Sequence, residues 1–214
     1  MKRCVWMIGA LAVLAGCRTI YYDTMEAFGH PKRQILSSRV QDAQESQVEA
    51  KEQFQSALER FRSVVEVSGG SLEEKYEQVR TEYEKSKKAA EAVNRRIASV
   101  KDVAGALFDE WADELDEYSS DQLRAASQVK LEQTRAAYTR MIGMMDAASA
   151  RMDPVLRALY DQVLFLKHNL NAQAIAAVRE QLVWVESSTE ALLVDMERSI
   201  AEAESFIQRL SDEE

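Results

Sequence analysis

Turn-forming residues are scarce in this chain of 214 residues. It holds 7 Gly and 2 Pro, where average usage at this length gives roughly 15 and 11. Asn occurs only as Asn94, Asn169 and Asn171. An all-β fold needs a turn about every 8–12 residues, built from those types, so a sandwich or barrel is excluded. A doubly wound α/β fold lacks its glycine-rich loops. Chemistry-bearing residues are scarce too. His30 and His168 are the only histidines. Neither has a Glu three residues upstream, whereas a di-iron bundle needs two Glu-x-x-His units. There is no phosphate-binding glycine loop, dinucleotide fingerprint, HExxH, zinc-spaced cysteine pair or GxSxG elbow. Basic residues are outnumbered, 27 Lys and Arg against 36 Asp and Glu, for a net charge of −9. Nucleic-acid binding needs a basic face, so no nucleic-acid partner is expected. What remains is helix. At 46% hydrophobic and 29% charged, the chain is too apolar to stay disordered.

The first sixteen residues read as an address. Lys2 and Arg3 form a basic n-region, and Val5 to Ala15 is apolar except for Gly9. That run is shorter than the ~20 residues a spanning helix takes, and it suits the h-region of a secretory signal. The segment closes on Leu14-Ala15-Gly16-Cys17, which resembles the lipobox of bacterial lipoproteins. The resemblance implies that Leu14, Ala15 and Gly16 are the recognition site of the signal peptidase. Cleavage before Cys17 leaves a thiol to carry diacylglycerol, with an N-acyl chain such as palmitate on the new amino terminus. No other cofactor is expected. Cys4 leaves with the signal and Cys17 is blocked by lipid, so the mature chain has neither thiol nor disulfide. Arg18, in place of the Asp that favours inner-membrane retention, implies an outer-membrane lipoprotein facing the periplasm. Removing Lys2 and Arg3 leaves 25 basic residues against 36 acids, a net −11. Acyl chains rather than charge then hold the protein to the membrane.

Residues 17–30 read as a lipidated tether. Tyr21 and Tyr22 suit either the lipid interface or packing on the end of a bundle, the plainer reading. Residues 31–214 read as one helical domain. Pro31 opens a first helix from about Lys32 to Val67. Its stripe is Leu36, Val40, Ala43, Gln47, Ala50, Phe54, Ala57, Phe61 and Val64, in alternating steps of four and three with only Gln47 polar. Ser68-Gly69-Gly70-Ser71 is the clearest break, and Ser71 with Glu74 forms a capping box. The second helix is expected from Leu72 to about Tyr118, with an unbroken stripe from Leu72 through Val93, Val100 and Trp111 to Tyr118. Ser119 with Gln122 is the expected cap of a third helix on Leu131, Thr134, Tyr138, Met141, Met145, Ala148 and Met152. Asp153-Pro154 starts a fourth, on Leu156, Leu159, Val163, Leu166 and Leu170. The five-residue step from Leu170 to Ile175 leaves the next segment as a separate helix or a phase slip. That segment runs to about Leu210 on Val178, Leu182, Val185, Thr189, Leu192, Met196, Ala203 and Phe206. The expected fold is all-α, an elongated bundle of four or five long antiparallel helices with coiled-coil packing.

Two clusters stand out as candidate partner-binding residues. His168, Asn169 and Asn171 lie at a helix break, where imidazole and amides could meet a partner's backbone. The plainer reading is that Asn171 caps the next helix and His168 faces the C-terminal dipole. The second cluster is the acidic run around Trp111 and Leu115. Asp109, Asp113 and Asp116 share one side of a continuing helix and Glu110, Glu114 and Glu117 nearly align. A straight helix cannot gather the six to eight oxygens of a calcium site, so no metal is expected, and a solvated acidic face is the plainer reading. Lys85, Lys87, Lys88, Arg95 and Arg96 are expected to pair with acids of neighbouring helices. Met141, Met144, Met145 and Met152 suit an adaptable groove or, more plainly, the core.

Tyr21-Tyr22, Met25-Glu26, Gly29, Lys32-Arg33, Ile35-Leu36 and the block from Asp161 to Ala172 together resemble a Gram-negative family of helical, coiled-coil lipoproteins, a domain-of-unknown-function family. The resemblance covers nearly all of the mature chain. It implies the fold and the envelope address and supplies no activity and no catalytic residue. The expected function is therefore a non-enzymatic, lipid-anchored scaffold or adaptor. Its partners would be the membrane, through the anchor, and an envelope protein or a second copy of itself. The alternative is a periplasmic chaperone or carrier for apolar ligands, lipid or unfolded outer-membrane protein, using the Met-rich segment.

Overall fold

The computed structural model describes residues 32–66, 71–169 and 172–212. Residues 1–16, the lipobox, Cys17, the tether, Ser68 to Gly70, Leu170 and Asn171 lie outside them. Four long helices make up nearly all of the described chain. They are α1 (Lys32–Glu66), α2 (Leu72–Glu114), α3 (Asp121–His168) and α4 (Ala172–Asp212), with a short 3-10 turn at Leu115–Glu117. Their 35, 43, 48 and 41 residues give lengths of about 50 to 70 Å. No described helix is long and apolar enough to cross a membrane.

The helices pack in a ring, α1 on α2, α2 on α3, α3 on α4 and α4 back on α1. Ion pairs across the four seams fix the antiparallel order. Arg96 reaches Asp42 at 3.2 Å, Lys101 reaches Asp146 at 2.7 Å, Arg140 reaches Glu202 at 2.8 Å and Lys51 reaches Glu197 at 2.7 Å. Such half-exposed pairs are each worth only about 0–1 kcal/mol, so they specify register more than they stabilise. Burial of the stripes supplies the stability. All nine stripe residues of α1 are buried, and Phe54, Phe61, Phe206, Met141, Met145, Met152 and Met196 are fully enclosed.

The core has a polar break at mid-length. Gln47 is wholly buried, and its Oε1 accepts from Ser199 Oγ at 3.0 Å. Gln47 Nε2 has no partner among the described residues. A buried amide of this kind costs stability, and in coiled coils it fixes register.

Three expectations are corrected. The expected third and fourth helices are one, and Pro154 sits inside α3 on its exposed face. The buried row runs unbroken through Met152, Val155 and Leu159, and that packing outweighs the ~3 kcal/mol a mid-helix proline costs. The cap of α3 is Ser120, one residue later than Ser119, and its side chain accepts from the Leu123 amide. Helix α2 stops at Glu114 rather than Tyr118. Its last turn is crowded with acids and has no basic residue, so like charge meets the negative pole of the helix dipole. The expected link between Leu170 and Ile175 is resolved as two helices, because α3 closes at His168 and α4 starts at Ala172.

Candidate interaction surfaces

The two ends of the ring are built differently. At the far end, α1 finishes beside the start of α2. The Ser71–Glu74 capping box is present in both directions, with the Glu74 amide donating to Ser71 Oγ at 3.0 Å. The last carbonyls of α1 have no partner within their own helix. Lys75 Nζ, on the buried side of α2, donates to the Val64 carbonyl at 3.0 Å. Arg179, on α4, donates to the Val65 carbonyl at 2.9 Å. Glu82, two turns further along the buried side of α2, is pushed up by burial, but hydrogen bonds from Lys85 and Gln53 hold it below the usual carboxylate range.

His168 is exposed in the last turn of α3 with Lys167, as the dipole reading requires. Asn169 is the C-cap. Its Nδ2 donates to the Phe165 carbonyl at 3.0 Å and its backbone N–H to the Leu166 carbonyl at 3.3 Å. Asn171 lies outside the described residues, so its expected capping role has no geometry here. The amide of Asn169 is thus occupied in ending a helix.

At the near end, Lys32 Nζ pairs with Glu110 at 2.6 Å, and the Arg33 guanidinium lies 5.0 Å over the Trp111 ring. Trp111 Nε1 donates to Ser127 Oγ at 2.9 Å. Asp109, Asp113 and Asp116 are all exposed. Asp109 and Asp113 lie on α2 and Asp116 in the 3-10 turn that follows it. No group of His, Cys, Asp or Glu among the described residues could hold a metal ion. Nearby, Tyr138 packs against Phe108 at 5.3 Å and Phe206 at 6.3 Å between ring centres. Burial, with help from Asp146, pushes its hydroxyl up to about 12.

The acidic run and the His168 cluster do not come together. They sit at opposite ends of α3, about 70 Å apart along its 48 residues. Of the five basic residues in mid-α2, Arg96 alone pairs across to a neighbouring helix among the described residues, while Lys85 bonds to Glu82 of its own helix. Met141, Met145 and Met152 are core, and Met144 alone of that set is exposed.

The sequence reading missed the outer face of α3 and α4 at the far end. Pro154, Arg157, Asp161 and Gln162 line a shallow groove against Gln181 and Trp184. Trp184 is 48% exposed, Phe165 38% and Val183 73%. Phe165 lies one helical turn on from Asp161 and so shares its side of α3. The available signal was Leu164-Phe165 and Val183-Trp184, apolar pairs that fall outside the four-three stripe.

A family model described as a protein of unknown function (DUF2959) matches residues 21–210, and the chain belongs to that family. No curated protein and no solved structure matches the chain. The expected resemblance to a helical domain-of-unknown-function family is thus borne out for family and fold.

Proposed function

We propose that this member of the DUF2959 family is a lipid-anchored scaffold or adaptor of the cell envelope that acts by protein–protein contact rather than catalysis. Its anchor is the acylated Cys17 at the outer membrane, with the bundle in the periplasm. The observation that carries the reading is the half-exposed Trp184, which lines a groove against Asp161 of α3, with the exposed Phe165 one turn on from Asp161. Large apolar side chains on a monomer's surface that cluster in this way mark interaction sites, and Trp is prominent among residues that dominate interface energy. The placement suits a tethered protein. Trp184 lines its groove opposite Arg157 and Asp161 of α3, about 40 Å along that helix from the end where α1 begins.

The carrier reading would require the enclosed Met141, Met145 and Met152 to be uncovered by parting the helices. In-cell photo-crosslinking from positions 165 and 184 of the anchored protein tests between the two. One discrete adduct from position 184, with an envelope protein or a second copy, that disappears in Phe165→Glu supports the adaptor. Adducts with lipid, or with a smear of nascent outer-membrane proteins, overturn it in favour of the carrier.

A further inference from the structure

The near end carries an open stretch of core. Helix α1 begins at Lys32, level with Glu110 of α2. Helix α4 finishes with Phe206 and Leu210 beside Thr134 and Ala137 of α3. Beyond that level α2 and α3 continue as a pair, through Trp111, the 3-10 turn and the first ten residues of α3, none of them buried. The core stripe does not stop there. Leu123, Ser127, Lys130 and Thr134 step by four, three and four, so Leu123 falls in phase with buried Thr134. Leu123 is nonetheless 59% exposed, and Tyr118 39%. Trp111 and Leu115 are partly buried against the core. Two helices here present an inner face that α1 and α4 are too short to cover.

We propose that the chain's own residues 20–28 cover this overhang. Three observations select that occupant. The segment arrives at the right place, because it leads into Lys32 beside Glu110 and Trp111. At no more than about 3.6 Å per residue, Phe28 lies within roughly 15 Å of Lys32 and Met25 within roughly 25 Å. The overhang from Glu110 to Glu117 is only about 10 Å long. The segment has the right side chains, since Tyr21, Met25 and Phe28 step by four and three, the same interval as the stripe they would extend. The family match also begins at residue 21, not at the first residue of α1, so the segment belongs to the shared domain rather than to a variable leash. The consequence is a short tether. With residues 20–28 docked, Cys17 is held near the tip of the α2–α3 pair, and the helix axes have a set direction from the anchor. The docking goes beyond the adaptor reading and stands without lipid on Cys17.

Hydrogen exchange on the full protein purified from membranes tests it. Amides of residues 21–28 are expected to exchange at least ~10-fold more slowly than in an unstructured chain. That protection should be lost in Leu123→Asp. In the paired variant Met25→Asp with Phe28→Asp, amides from 112 to 117 should exchange faster while those of mid-α3 stay unchanged. Free-chain exchange of residues 21–28 in the unaltered protein overturns the proposal. So does protection that survives Leu123→Asp, which assigns the cover to detergent, or protection that rises with protein concentration, which assigns it to a second copy.

Discussion

Among the described residues, side chains close the far end of the bundle, whereas the near end leaves Leu123 and Tyr118 exposed. At the far end, Lys75 and Arg179 satisfy the Val64 and Val65 carbonyls, and the Ser71 box satisfies the start of α2. At the near end, α2 stops in a run of acids and the stripe continues to an exposed Leu123. The local pattern is the same at both ends, apolar residues in steps of four and three. The difference is whether a third and fourth helix reach that level. Burial in a bundle is therefore decided by the lengths of the neighbours as much as by the stripe itself. Unlike ends also give the rod a direction, which a symmetric bundle lacks.

Truncations should show the contrast most strongly. Phe61→Ala at the far end removes an enclosed ring and is expected to cost about 3–5 kcal/mol. Leu123→Ala at the near end should cost below about 1 kcal/mol. Denaturant melts of the two variants check this, and equal losses would break the comparison. Lys75→Met comes next. It leaves the Val64 carbonyl unsatisfied in a buried place and should cost about 1–3 kcal/mol.

The ends should also answer to opposite extremes of pH. Folding lowers the pKa of Glu82, so its contribution is present above the unfolded carboxylate value and is lost as pH falls through the lower folded one. Folding raises Tyr138 to about 12, so its contribution is intact below about 10 and is lost as pH rises from there towards 12. Glu82→Gln should flatten the acid limb of a stability–pH curve and Tyr138→Phe the alkaline limb. The converse assignment would contradict the packing described. Pro154→Ala should act in the opposite direction to the truncations. It restores a helical amide on the exposed face of α3 and should raise stability by about 1–2 kcal/mol, read as a higher melting temperature.

Much of this was legible in the sequence. The α1 stripe is buried at every position read, including the polar Gln47, and the Ser71–Glu74 box is present as expected. These features depend on residues a few positions apart. The misreadings share a different cause. Pro154 looks like a helix start until the packed row from Met152 to Leu159 is seen to carry the helix past it. Helix α2 looks continuous to Tyr118 because the stripe is apolar, whereas the charges between stripe positions end it sooner. The roles of Lys75 and Arg179 depend on which helix end lies beside them in space. Trp184 and Phe165 were passed over because a stripe search looks only at the inward positions. Of the two candidate clusters, the Asn169 amide serves a helix end, and the acids flank a tryptophan already bonded to Ser127.

Direction matters functionally only if one end is tied down, and the proposed tie is Cys17. The most direct measurement is the intact mass of the protein recovered from cell membranes, compared with a Cys17→Ala variant. The expected result is a chain that begins at Cys17 and carries diacylglycerol and an N-acyl group, with the variant uncleaved and without lipid. An unmodified chain that starts elsewhere and is recovered from the soluble fraction, with the variant behaving identically, would contradict the anchored scaffold.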